Sequence, residues 1–539
     1  MPARGTALLR YSNESVAFTQ QELYARWLTA QLPPGVETLD LQVQRCTMQL
    51  CKKPNDLEQY IYLSQLAHDN LTLFFKVLST DPARFIPIVY DPTAGLACLE
   101  FGHIYHRRNG IYLSIEQRGR VKEMLSRWPA KDVRFICVST GARILGLGDL
   151  GADGMGIPVG KLQLYTACAA VPPEGLLPLL LDCGSDNDKL LADPLYLGLR
   201  RNRPTSDDLD SFVDEFVQAA QDLYPKCCIH FEGWKGTDAL RLLAKYADKI
   251  SCYNDDIQGA GSVTVAGLYN ALKIVKGRLK EQRILLFGAG SAAIGIANMA
   301  VSAMRLDAVS EEDARSRISL FDVNGLLEPS RTHLTPDQKR YVHPHAPTKS
   351  LLAAINAIKP TILIGVSTAG KTFTKEVVEA MTRLNPRPII FALSNPTERA
   401  ECTAEEAYSW SGGKAVYAAS VPFDPVKLRG KTYLPGQANN FFIFPAVSLA
   451  VYATEAKRVP DELFIQAAKA LADQVSPQQL RHGMLFPPQK DILKIEVQTA
   501  VAVARKVFAL GLARVEMPAD LSAWMQSLLY KPEYVREIE

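Results

Sequence analysis

Gly288, Gly290 and Ala293 directly follow the apolar run RILLFG (283–288) and open the apolar stretch AAIGIANMAVSAM. This is the strand, tight turn and helix start that seat a pyrophosphate on free helix N–H groups, with Ser291 and Ala292 completing the turn. A second Gly-x-Gly-x-x-Gly match, Gly146, Gly148 and Gly151, lies in the glycine-rich stretch GARILGLGDLGADGMGIPVGK (141–161). No helix is expected to start at its third glycine, so it reads as a chance match. Nor is Gly160-Lys161 a Walker A loop, since Met155 stands at the first glycine position and Leu162 follows the lysine. Lys161 ends this stretch just before LQLYTACAAV. On the first turn of a buried helix, desolvation and the helix dipole would both lower its pKa, which suits a general base near neutral pH.

Acids gather at the ends of other apolar runs: Glu232 closes CCIHFE (227–232), and Asp255 with Asp256 follows ISCYN (250–254). Ligands of open α/β sheets bind beyond the carboxyl ends of the strands, so these side chains could converge on one hard cation. They could equally cap helices, and the spacing leaves both readings open. Asn395 in ALSNPT and Asn440 in GQANNFFIF are similarly divided between turn residues and ligand-binding amides.

Several kinds of element must position these groups. Up to about residue 107 the pattern is helical, as in LEQYIYLSQLAHDNLTLFFKVL (57–78), where apolar residues recur at three- and four-residue spacing. From 108 onward short apolar runs alternate with helical stretches: VRFICVS (133–139), LLPLLLD (176–182), CCIHFE and ISCYN. A second series follows with RILLFG, RISLFD (317–322), TILIGV (361–366), PIIFAL (388–393) and AVYAA (415–419). Such alternation predicts parallel sheets, hence an α/β fold with two such domains in tandem behind a helical N-terminal region.

Lys and Arg total 60 against 57 Asp and Glu, a formal +3, too little to imply nucleic acid or an anionic membrane as partner. The ten cysteines are scattered without a Cys-x-x-Cys pair, which fits neither a disulfide framework nor a zinc site. No apolar run reaches membrane-spanning length and the N-terminus lacks a secretory apolar core. A cytoplasmic location is expected. Arg4 and Arg10 in the acid-free MPARGTALLRYSN keep a mitochondrial one as the alternative.

Long blocks of the sequence resemble malic enzyme from about residue 35 to 510: PIVYDPTAGLACLEFG (87–102), RILGLGDLGADGMGIPVGKLQLYTACAAV (143–171), DPLYLGLRRNR (193–203), YNDDIQG (253–259), FGAGSAAIGIAN (287–298) and FALSNPTERAECTAEEAY (391–408). The resemblance implies oxidative decarboxylation of L-malate to pyruvate and carbon dioxide, with NADP or NAD as hydride acceptor, magnesium or manganese as metal, and a homotetramer built as a dimer of dimers. By motif, Lys161 would take the C2 hydroxyl proton and Tyr90 would protonate C3 of enolpyruvate. Arg143 would bind a substrate carboxylate, Asn395 and Asn440 would hold malate and nicotinamide, and Glu232 and Asp256 would serve the metal, with Asp255 beside them and counted with Lys161 and Tyr90 among the catalytic residues. The expected organisation is an association region at 1–107, a parallel-sheet catalytic domain at 108–254 plus 441–512, a Rossmann-like doubly wound nucleotide domain at 255–440, and a tail at 513–539.

The resemblance has one sharp departure. The family pattern Phe-Glu-Asp, with both acids on the metal, here reads Phe231-Glu232-Gly233. Ser291 also replaces an acid common in the nucleotide loop, and AASVPF (418–423) stands for the usual Ser-Gly-Ser-Pro-Phe. Nucleotide preference is contested within the sequence. Asp322, ending its strand, would favour NAD by binding a ribose hydroxyl. Lys339 and Arg340 fall where NADP-preferring members carry basic residues, and NADP is the expected choice. Two alternatives are a malolactic enzyme that releases lactate and a non-catalytic nucleotide-binding homologue suggested by Gly233.

Overall fold

The computed structural model describes residues 32–144 and 146–534, with positions 17 and 24; the basic stretch 1–13 lies outside the described residues. Helices Leu39–Cys51, Asp56–Asp69, Leu71–Thr80, Pro82–Val89 and Thr93–Leu99 form the N-terminal region. The stretch 57–78, periodic throughout, is two helices and not one. Asn70 divides it, its side chain accepting the Leu73 N–H to start the second helix.

The first sheet contains β1 (Ile111–Ser114), β2 (Phe135–Ser139), β3 (Leu176–Asp182), β4 (Cys228–Phe231) and β5 (Cys252–Asn254), all parallel in the order β1-β3-β2-β4-β5. The second contains β6 (Ile284–Phe287), β7 (Ile318–Asp322), β8 (Gly325–Leu326), β9 (Ile362–Gly365), β10 (Ile389–Ala392), β11 (Val416–Ala419) and β14 (Gly436–Gln437), in the order β14-β11-β10-β9-β6-β7-β8. Between β11 and β14 a hairpin, β12 (Val426–Leu428) and β13 (Lys431–Tyr433), stands apart. Only β8 runs antiparallel in the second sheet, against β7. Every residue of β2, β4, β9, β10 and β11 is buried, as strands covered by helices on both faces require.

Strand order reverses at β6, which lies between β9 and β7, so the turn after β6 opens at the topological switch point where doubly wound sheets bind ligands. A continuous apolar core joins the parts, running from Phe74 in the N-terminal helices through Tyr165 to Ile294, Ile364 and Phe444. Among the described residues no helix is long and apolar enough to cross a membrane.

Candidate active site

The carboxyl ends of β2, β4 and β5 carry Arg143, Glu232 and the Asp255-Asp256 pair to one place. Tyr90, at the end of helix Pro82–Val89, and Lys161, from helix Gly156–Ala169, reach the same place. Ser291, Ala292, Asn395 and Asn440 face them, and all except Asp255 line a cavity of ≈ 170 Å³, room for a small diacid. The glycine-rich stretch is a packed wall of this cavity: a side chain at Gly146 would come within 2.5 Å of the Asn395 carbonyl oxygen. A 3-10 turn does open at Gly151, contrary to expectation, and runs into the α-helix at Gly156. The Ala152 N–H there is already given to the Tyr196 hydroxyl, so the turn is not an anion seat.

Lys161 is 1% exposed and sits in the second turn of its helix, not the first. Its ammonium donates to Asp255 Oδ2 and lies 3.3 Å from Glu232 Oε2. Burial is the largest single influence and pulls its pKa down, as expected, but the charges of Asp255, Glu232 and Tyr90 and the hydrogen bond to Asp255 together outweigh it. The pKa stands well above the ordinary lysine value. The lowering expected from the sequence is therefore reversed: two carboxylates close in space overcome desolvation, and a lysine one turn into the helix gains little from the dipole. Tyr90 packs its ring 5.1 Å from the Lys161 nitrogen, and Phe444 covers the other approach at 4.4 Å. Burial raises the Tyr90 phenol far above its usual value, only partly offset by Lys161, so it is held as a proton donor.

The acids are not helix caps. Asn254 caps the turn Asp255–Gly259, its side chain accepting from Ile257 N–H. Asp255 is fully buried, with Oδ1 unpartnered and Oδ2 accepting from Asn440 Nδ2 at 2.9 Å. Burial, with the Glu232 charge adding to it, pushes the Asp256 carboxyl up to about 8; burial likewise raises Glu232, against the pull of Lys161. Oxygen donors crowded with too little countercharge fit a hard divalent cation. Sequence reasoning missed Asp91, which also lines the cavity, its carboxyl raised to about 6 by burial against the pull of Lys161. Its place beside Tyr90 in PIVYDPT was the available signal.

On the nucleotide side, Gly288 has φ +133° and a side chain there would lie 2.5 Å from the Val366 carbonyl oxygen, so only glycine permits this turn. A side chain at Gly290 would instead meet open space, and helix Ser291–Leu306 begins there with no side-chain cap. That is the cradle a pyrophosphate fits. Ala293 is buried. Asp322 is not a free acceptor: Oδ1 takes the Asn324 N–H and Oδ2 pairs with Arg331, each at 2.7 Å. Lys339 ends the helix Pro336–Lys339, and Arg340 follows it. Gln338 ties this helix to the glycine turn by donating to the Ala289 carbonyl at 2.9 Å.

The malic enzyme N-terminal domain model matches residues 67–247, and the malic enzyme NAD-binding domain model matches residues 257–508. The chain belongs to the malic enzyme family. It is 45% identical over 536 residues to the NADP-dependent malic enzyme of Anas platyrhynchos, covering 98% of this chain and 96% of that protein. To the NADP-dependent malic enzyme of Phaseolus vulgaris it is 45% identical over 538 residues, covering 99% and 91%. The crystal structure of Entamoeba histolytica malic enzyme shares the fold, with TM-score 0.58 at 22% identity, over 83% of this chain and 81% of that one.

Against the malic enzyme pattern, Gly233 now has a geometry. Its φ is +71°, its N–H donates to Asp256 Oδ2 at 2.9 Å, and its carbonyl accepts the Arg143 N–H at 3.1 Å. A Cβ there would meet Ser139 Oγ at 2.8 Å and Ile144 Cδ1 at 3.1 Å. Gly233→Asp is therefore expected to lower stability by about 1–2 kcal/mol, the cost of a left-handed backbone. The family pattern alone would have it tighten Mn2+ binding by restoring an acid, but it should not do so here, because the new side chain starts against Ser139 and Ile144. A thermal melt and a Mn2+ titration without malate check both halves; tighter binding would show that position 233 can serve the metal.

Proposed function

We propose that this chain oxidises and decarboxylates L-malate to pyruvate and carbon dioxide, with NADP as hydride acceptor. The observation that carries the reading is Lys161, held between Asp255 and Glu232 in a cavity shared by Tyr90, Arg143 and the first turn of the nucleotide-side helix. A divalent cation, magnesium or manganese, would be held by Glu232 and Asp256 with Asp255 beside them, and would supply the positive charge that favours oxidation at C2 and loss of carbon dioxide. The guanidinium of Arg143 has no ion pair among the described residues and offers its fork to a substrate carboxylate.

Lys161 receives the C2 hydroxyl proton as the hydride leaves C2. Its ammonium must first shed a proton, which the free charges of Asp255 and Glu232 oppose; relieving the charge on Glu232 weakens that hold. Asn440 anchors Asp255 through its N–H group and keeps its carbonyl for the nicotinamide amide, with Asn395 opposite. Tyr90 then delivers a proton to C3 of enolpyruvate. Residues 108–254 with 441–512 form the catalytic part and 255–440 the nucleotide part in this reading. A homotetramer in the cytoplasm completes it.

The deciding experiment is a spectrophotometric assay with L-malate, Mn2+ and each nucleotide separately. Pyruvate with stoichiometric NADPH is the expected result; lactate without net nucleotide reduction would mean malolactic chemistry, and no turnover with either nucleotide would sink the enzyme reading. NADP preference draws support from the relatives' names and from Asp322, which Arg331 neutralises where a 2′-phosphate would otherwise meet a bare carboxylate. Replacing Lys339 and Arg340 together with Gln is expected to raise the KM for NADP by about tenfold or more, the scale of a lost charge-assisted contact. The KM for NAD should hardly move, and equal loss for both nucleotides would make the pair ordinary surface charge.

A further inference from the structure

Two residues before Glu232, within β4, lies His230, with no solvent exposure. Its Nε2 is 3.2 Å from Glu232 Oε2. Its Nδ1 is 2.8 Å from the Tyr165 hydroxyl and 3.1 Å from the Tyr253 hydroxyl. Those two hydroxyls bond each other, and the Tyr253 hydroxyl lies 3.1 Å from Ser448 Oγ. The imidazole is stacked on the Tyr253 ring at 4.5 Å between centroids, with Phe444 at 5.9 Å, so neither ring nitrogen meets water.

This wiring fixes the tautomer. An ionised carboxylate can only accept, so the proton sits on Nε2 and is donated to Glu232; Nδ1 is then an acceptor, and a tyrosine hydroxyl donates to it. A neutral imidazole, closed off from solvent, does both at once. Glu232 Oε2 thus has two donors, His230 and the Lys161 ammonium, and neither contact uses Oε1. Glu232 lines the cavity, and with Oε2 taken by these two donors Oε1 is the oxygen left for a ligand there.

His230, Glu232 and Asp255 also place one potential ligand atom each within 4.8 Å of one another, but the Lys161 ammonium occupies the space between Glu232 and Asp255. A cation bound there would meet a like charge. Direct ligation by His230 is therefore disfavoured, and a role through Glu232 is left.

We infer that His230 is a positioning residue: its Nε2–H pins Oε2 of Glu232 so that the carboxylate presents Oε1 to the divalent cation, with Tyr165, Tyr253 and Ser448 setting the tautomer. The inference rests on the malic enzyme reading of the metal site. Partners of this kind, one shell behind a metal ligand, typically contribute about 10–100-fold in metal affinity.

The test separates the two ring nitrogens. A glutamine side chain carries its amide N–H about as far from the backbone as Nε2, whereas an asparagine reaches only to about the Nδ1 position. In Mn2+ titrations followed by electron paramagnetic resonance without malate, His230→Asn is expected to weaken binding by about 10–100-fold. His230→Gln should stay close to wild type, and NADP affinity should be unchanged in both. Tyr165→Phe, which keeps the ring and removes a donor to Nδ1, should shift Mn2+ binding in the same direction as Asn by a smaller factor; it gives the answer if the Asn variant does not fold. Wild-type Mn2+ affinity in His230→Asn, or equal losses in Asn and Gln, would overturn the positioning role alone. Failure of the wild-type chain to bind Mn2+ with or without malate would overturn the metal reading and this inference with it.

Discussion

Lys161→Ala is expected to lower malate turnover by about 10²–10⁴-fold, the usual cost of losing a general base, while NADP affinity stays near wild type. The separation follows from position: the lysine contacts Asp255, Glu232, Tyr90 and Phe444, whereas the pyrophosphate cradle is built from the Gly288–Gly290 turn and the helix that starts at Ser291. Removing the ammonium also leaves two buried carboxylates without their counter-charge, and breaking a buried ion pair in this way costs about 3–5 kcal/mol. The variant should therefore melt earlier, and its rates must be taken well below that transition. Addition of small primary amines, which can occupy the vacated space, should restore part of the rate in the Ala variant and none in wild type. Retention of more than half the wild-type turnover by a folded Lys161→Ala protein would remove this lysine from the mechanism.

How far the sequence reached depends on whether the physics was local. The Gly288–Ala293 turn was legible because strand, turn and helix are contiguous, and because glycine's freedom at φ +133° is a property of one residue. Both series of strands were legible for a similar reason, since strands buried on both faces leave unbroken apolar runs. β1 escaped because only one of its four residues is buried, so Ile111–Ser114 carries no such run, and β8, β12, β13 and β14 escaped because they are only two or three residues long. The electrostatics of Lys161 could not be read correctly, because Asp255 is 94 residues away in sequence and only the sheet brings it within reach. Burial was anticipated; its reversal by two carboxylates was not.

The same limit governs other residues. Asp322 was read as a ribose acceptor without sight of Arg331, nine residues on, which pairs with its Oδ2. His230 drew no attention inside CCIHFE, although it stands only two residues before Glu232. Chemical type was visible in each case, and the partner that sets its state was not. Where a family pattern supplied the role, as for Tyr90 and Arg143, the structure adds the environment that makes the role workable.

Tyr90→Phe is the sharper test of that environment, because it removes one oxygen and keeps the ring that packs against Lys161. Tyr90 is 4% exposed and its phenol is held protonated by burial, so at neutral pH it can give a proton but has none of the basicity needed to take one from the C2 hydroxyl. Hydride transfer from C2 needs a base, Lys161 in the proposed reading; formation of pyruvate needs an acid at C3. The variant is therefore expected to lose about 10²-fold or more in proton delivery to enolpyruvate, with hydride transfer less affected. Solvent tritium entering the methyl group of pyruvate, measured beside NADPH formation from malate, reads the two steps separately. The exchange should fall far more than the single-turnover rate of NADPH formation. If tritium enters pyruvate as fast as in wild type, the proton comes from elsewhere in the cavity, and Asp91, the neighbouring carboxyl raised to about 6, becomes the acid to replace next.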